Sequence, residues 1–149
     1  MEKLERIIFV AKSGNCREPM AMGILKDISF KSDVEILARG LVVSFPEPIN
    51  RKAEAVMISN GITFENFSSK QLKNEDITPD TLILTMEEKH RKKVLENYSN
   101  SNIENVYVLT DFVGDQLEIL DPYGGSLQSY GLCYETLRQS LKKLVKILN

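Results

Sequence analysis

The stretch Ile7-Ile8-Phe9-Val10-Ala11-Lys12-Ser13-Gly14-Asn15-Cys16-Arg17-Glu18-Pro19-Met20-Ala21 reads as a buried apolar strand, a tight polar loop and a helix with Pro19 near its first turn. A loop that joins the C-terminal end of a strand to a helix N-terminus aims several backbone N–H groups at one point. That point suits a phosphate or another oxyanion. Arg17 adds a planar fork of donors at the loop's end. The predicted anion cradle therefore spans Lys12, Ser13, Gly14, Asn15, Cys16 and Arg17. Where a thiol nucleophile would open a Cys-x5-Arg loop, the chain has Ala11.

Outward from this stretch, strand and helix signals alternate. Leu4–Val10 is the first predicted strand and Pro19–Ile28 the first helix; Val34–Ala38 is a second, short strand. Leu41–Asn50 is a loop carrying Pro46 and Pro48. Asn50 is placed to cap a helix over Lys52–Asn60, with Ala53, Val56 and Met57 on its apolar face and a stop at Gly61. Phe64–Asn74 is irregular, with one helical turn after Ser69. Thr81–Thr85 is a third strand, followed by the charged helix Glu87–Asn97, and Val106–Leu109 is the fourth. After the loop Asp111–Gly125, Ser126 caps a long helix to Leu148, with Leu132, Leu137, Leu141, Leu144 and Leu148 as its apolar stripe. Four strands separated by helices predict an α/β three-layer sandwich: a four-stranded, mostly parallel sheet with helices on both faces. Ligands bind outside the C-terminal ends of such strands, so Ala11–Arg17 shares a rim with the loops after Thr85 and Leu109.

The 149 residues suffice for one compact domain, residues 1–149, with a full core. A net charge of −2 and a pI near 5.5 give no general affinity for nucleic acid or an anionic membrane. The two cysteines, Cys16 and Cys133, lie far apart, which fits a reducing cytoplasm better than a disulfide scaffold. No run reaches transmembrane length, and a start with Glu2 and Glu5 before an early strand is unlike a signal peptide. No Cys/His/Asp cluster has metal-ligand spacing, and no cofactor is expected.

Taken with Asp121-Pro122-Tyr123-Gly124-Gly125-Ser126 and with Leu82-Ile83-Leu84-Thr85-Met86 followed by His90, the opening loop resembles the low-molecular-weight protein-tyrosine phosphatases. The resemblance covers essentially the whole chain and is closest in style to the bacterial branch that includes arginine phosphatases. In that family a cysteine opens the loop and forms a phosphocysteine. The loop arginine holds the phosphoryl oxygens, and the aspartate before the proline protonates the leaving group. By position the resemblance assigns these roles to Ala11, Arg17 and Asp121, and puts Tyr123 in the wall beside the substrate. Leu41 and Phe45, opposite Tyr123, would form an apolar slot or a partner-binding surface, against the alternative of a loop packed on its own domain.

Three departures bear on activity. Ala11 lacks the nucleophile, the Gly14-Asn15 pair stands one place later than in the family, and Glu18 replaces the hydroxyl residue after the arginine. A negative charge beside an anion site is repulsive by roughly a few kcal/mol when poorly solvated; Lys12 could offset it, or Glu18 could itself bond to Arg17 and fill the pocket. The first reading is a degenerate family member that binds phosphate, sulfate or a phosphorylated protein or small molecule without turnover. The alternatives are an active phosphotyrosine or phosphoarginine phosphatase whose cysteine at position 11 has been replaced, and a protein-interaction domain without anion binding. Cys16 reads as a structural thiol and Cys133 as core, while His90 has a surface or satisfied structural role. Asp111 and Asp115 read as solvated loop residues. The run Lys89-His90-Arg91-Lys92-Lys93, flanked by Glu87, Glu88 and Glu96, is a solvated face. A weak homodimer through the last helix completes the partner expectations.

Overall fold

The computed structural model of the chain describes residues 3–28, 33–98, 103 and 105–149; Glu2 lies outside them. Four strands, β1 (Arg6–Ala11), β2 (Glu35–Gly40), β3 (Thr81–Thr85) and β4 (Val106–Val108), lie in the order β2-β1-β3-β4. All three pairings are parallel, with Phe9 opposite both Ala38 and Leu84. The helices are α1 (Arg17–Asp27), α2 (Arg51–Ser59), α3 (Glu88–Asn97), α4 (Leu109–Val113) and α5 (Leu127–Leu148).

The twofold alternation of β1 divides its side chains between two cores. Ile7, Phe9 and Ala11 join Met20 and Ile24 of α1, Met57 of α2 and Leu137, Leu141 and Leu144 of α5. Ile8 and Val10 face the other way and pack with Ile83, Val94 and Tyr98, under α3. Both faces of the sheet are thus covered, which is why the two central strands are apolar without interruption over residues 7–11 and 82–84. The strand order turns back at β1, so the loops after β1 and β3 open on the same rim.

Several boundaries differ from the sequence expectation. β1 and β2 run on to Ala11 and Gly40, and α1 begins at Arg17 rather than Pro19. Pro19 is the third helical residue, where a missing N–H breaks no intrahelical bond. α2 is capped as expected: the Asn50 side chain accepts from the N–H groups of Lys52 and Ala53 at 2.9 and 3.1 Å. The helical turn expected after Ser69 is absent. Gln71 instead bridges to Gly40, with the Gly40 N–H donating to Lys70 and the Leu72 N–H to Gly40, and a 3-10 turn follows at Asn74–Asp76. Between Leu109 and Gly125, α4 replaces the end of the fourth strand and the start of the predicted loop, and it closes on Gly114 at φ +84°. Five residues are too few to show a helical period.

The stripe on α5 is also shorter than expected. Leu137, Leu141 and Leu144 are fully buried, but Leu132 is 68% exposed. Five residues separate 132 from 137, about 140° around a helix, so Leu132 faces away from the core.

Candidate functional site

β1 ends in Ala11, whose buried methyl faces the α1–α5 core. The loop backbone then folds against the segment after β2: Leu41 and Val42 donate to the carbonyls of Ala11 and Lys12 at 2.9 Å each. Gly14 turns the loop at φ +78°, and a Cβ there would sit 3.1 Å from the Gly40 nitrogen. Both the handedness and the close approach call for glycine at this position. Asn15 accepts from the Asn50 N–H through its carbonyl at 2.8 Å, tying the loop to the cap of α2. Its side-chain oxygen accepts from the Ser13 hydroxyl at 2.8 Å. Cys16 occupies the N-cap position of α1 without a side-chain cap bond.

Glu18 is the second residue of α1 and is 1% exposed. Its Oε2 accepts from the Gly14 N–H at 2.7 Å. Burial pushes the carboxyl pKa up, while the backbone N–H groups of Glu18, Gly14 and Cys16 and the charge of Arg17 pull it back. A carboxylate from within the chain is therefore aimed at the same donors that an incoming oxyanion would need. The expectation that Glu18 bonds to Arg17 is corrected in this respect: its hydrogen bond is to the loop backbone.

Arg17, 3% exposed, has other partners. Its Nη1 donates to Glu87 Oε2 and to the Ile119 carbonyl, both at 2.7 Å. Its Nη2 lies 3.8 Å from Asp121 Oδ2. The Asp121 side chain is about half-exposed, and its Oδ1 accepts from the Tyr123 N–H at 3.0 Å. The rim thus brings together Ala11, the loop, Arg17 and Asp121. Glu87 and Ile119 are additions that the sequence reading did not select. The signal for Glu87 was its position just past the C-terminal end of β3, on the rim itself.

His90 is buried rather than at the surface. Its Nδ1 accepts from the Glu87 N–H at 3.2 Å, and its Nε2, 3.7 Å from Glu87 Oε2, has no hydrogen-bond partner among the described residues. Burial, reinforced by Arg17, holds its pKa down at about 4 against an ordinary 6.5. Burial acts to raise the Glu87 carboxyl, but the hydrogen bond and charge of Arg17 outweigh it and leave the pKa lowered. The unfolded chain therefore binds a proton at His90 that the folded chain refuses. Stability is lost as pH falls from about 6.5 to about 4, by up to about 3 kcal/mol from this group. Glu87 adds to the loss in acid; Glu18, with its pKa raised, opposes it. Unfolding by urea at a series of pH values should show His90→Asn losing less stability on acidification than the parent chain. Parallel pH curves for the two would refute this assignment.

Burial drives the Cys16 thiol pKa far above its usual value and pushes Cys133 up to about 12. Both stay protonated near neutrality and are poor nucleophiles. The anticipated slot of Leu41, Phe45 and Tyr123 does not form. Leu41 is half-buried against the α3-side core. Phe45, 67% exposed, lines depressions with Ser44 and Ser69, whereas Tyr123 lines a separate one with residues of α5. Asp115 is not simply solvated: it pairs with Lys143 and accepts from the Ser140 hydroxyl at 2.6 Å. Asp111 is exposed, as expected. The exposed part of the basic run is laced with acid: Lys89 pairs with Glu87, Arg91 with Glu88 and Lys93 with Glu96. No three His, Cys, Asp or Glu side chains among the described residues group as a metal site, and none of their helices is long and apolar enough to cross a membrane.

A parallel, doubly wound sheet with a strand–loop–helix junction on its rim defines an α/β fold of the class whose ligands bind outside the C-terminal ends of the strands. The family model for low molecular weight phosphotyrosine protein phosphatases matches residues 6–149, and the chain belongs to that family. It is 31% identical over 139 residues to the low molecular weight protein-tyrosine-phosphatase PtpB of Staphylococcus haemolyticus, covering 93% of this chain and 96% of the relative. Among solved structures it is similar to the YwlE arginine phosphatase of Geobacillus stearothermophilus, with a TM-score of 0.87 and 28% identity over 97% of this chain and 92% of that one. A mutant YwlE arginine phosphatase with a phosphorylated active site serine superposes equally well: TM-score 0.87, 28% identity, 96% of this chain and 95% of that one.

Proposed function

We propose that this chain is a single-domain, cytoplasmic, degenerate member of its family, in which the anion loop is retained but phosphoryl transfer is lost. One observation carries the reading: the buried Glu18 carboxylate accepts from the Gly14 N–H at 2.7 Å, in a loop that opens on Ala11. Nucleophile and oxyanion site are altered together. The nucleophile position holds a methyl group, and a loop donor is taken by the chain's own carboxylate, which any incoming anion must displace. Arg17 and Asp121 keep their rim positions. Arg17, however, is held by Glu87 and Ile119, and Asp121 has no leaving group to protonate.

Phosphate, sulfate or a phosphorylated side chain enters such a loop only by displacing Glu18, so binding near neutral pH is weak. Titration of inorganic phosphate, followed by the amide shifts of Gly14, Asn15 and Cys16, tests this. These resonances should stay still at millimolar phosphate in the parent chain and move in Glu18→Ser. Saturable movement of the same amides in the parent chain, equal to that in Glu18→Ser, would contradict the proposal.

A further inference from the structure

Residues 111 to 137 carry Asp111, Asp115, Glu118, Asp121 and Glu135 and not one lysine, arginine or histidine. The same segment holds the largest exposed apolar side chains near the rim. Leu117 is 80% exposed and Leu120 74%, and with Pro122, Tyr123 and the outward-facing Leu132 of α5 they line a groove of about 800 Å³. Solvent-exposed leucines gathered on one concave surface mark an interaction site rather than ordinary surface. The core does not need them: Leu132 points away from it, and Leu117 and Leu120 flank Ile119, which alone of the three is buried.

The charges identify the occupant. Lys143 neutralises Asp115, and Glu118 accepts from the Glu88 N–H at 2.6 Å. Lys52 reaches the groove's edge, donating to the Gly125 carbonyl at 2.6 Å, and Arg17 lies 3.8 Å from Asp121. Glu118 and Asp121 are the charged side chains that line the groove, no described lysine or arginine lines it, and Arg17 is already paired with Glu87 at 2.7 Å, so the rim is net negative. We infer that this groove docks a basic peptide segment of another protein, with leucine-like side chains seated against Leu117, Leu120 and Leu132 and flanking Lys or Arg side chains facing the acidic rim. A second copy of this chain is a poorer fit. Its own basic run, Lys89–Lys93, is laced with ion pairs, and among the large apolar residues of α3 only Leu95 is prominently exposed. The groove lies beside the anion loop but does not use it, so the inference stands whether or not the loop binds phosphate.

The test uses a fluorescein-labelled peptide of alternating arginine and leucine, titrated with the full chain. Two control peptides carry glutamate for arginine or serine for leucine. Saturable binding is expected for the first peptide alone, weakening as salt is raised, with amide shifts confined to residues 116–136. Leu120→Ser with Leu132→Ser, both at exposed sites, should weaken it at least tenfold while the unfolding midpoint stays put. Equal binding of the glutamate peptide, or full binding to the double variant, would overturn the inference. So would a concentration-dependent dimer of the chain that the double variant abolishes and that excludes the peptide.

Discussion

Ala11→Cys alone should remain inactive toward an aryl phosphate, while Ala11→Cys combined with Glu18→Ser should turn it over about a thousandfold faster. Restoring the thiol supplies a nucleophile only if it can ionise and if the loop donors are free to receive the phosphoryl group. In the single variant neither condition holds. The Gly14 N–H is already bonded to Glu18 Oε2 at 2.7 Å, and that carboxylate is buried in the loop that must hold the thiolate. As a general scale, two unit charges about 4 Å apart repel by about 4 kcal/mol at an effective dielectric near 20, the equivalent of about three decades in rate. Glu18→Ser removes the charge and restores a hydroxyl able to donate to a thiolate. The measurement is initial rates for the two single variants and the double variant. Full activity in Ala11→Cys alone would mean that Glu18 does not block the loop, and that Ala11 by itself separates this chain from a working phosphatase.

The second large effect is on stability. Arg17→Leu should cost about 3–5 kcal/mol in urea unfolding, because it strands the Glu87 carboxylate and the Ile119 carbonyl that now share Nη1 at 2.7 Å. Removing both charges, as Arg17→Leu with Glu87→Leu, should recover much of that loss, since a buried pair is often replaceable by apolar side chains of similar volume. An arginine kept free for an external oxyanion behaves differently: its removal would change phosphate affinity and leave the unfolding midpoint nearly where it was. Equal midpoints for the parent chain and Arg17→Leu would therefore refute the structural role assigned here.

Much of the fold could be read in the chain because its signals are local. The apolar strand before Ala11, the Asn50 cap and the Gly61 stop each act within a few residues, and each appears in the structure close to where it was expected. The errors arise where the deciding contact is distant or the element short. Gln71 is extended because it pairs with Gly40, which lies across the sheet's end and not nearby in sequence. α4 has too few residues to show a period, and Leu132 was placed on a stripe whose spacing it does not match. At the rim, the types of residue could be read but not their partners. Arg17 and Glu18 both stand out in the sequence, yet Glu18 turns to Gly14 while Arg17 turns to Glu87, seventy positions away. Which acid meets which donor depends on packing between loops, and no spacing encodes it.

The proposed loss of phosphoryl transfer is tested most directly by incubating the unaltered chain with an aryl phosphate and following both released alcohol and phosphorus retained on protein. No steady release above the uncatalysed background and no phosphorylated side chain are expected, because Ala11 cannot accept the group and Glu18 already holds a donor in the loop. Sustained turnover, or an isolable phosphoryl adduct on any residue of the rim, would contradict it.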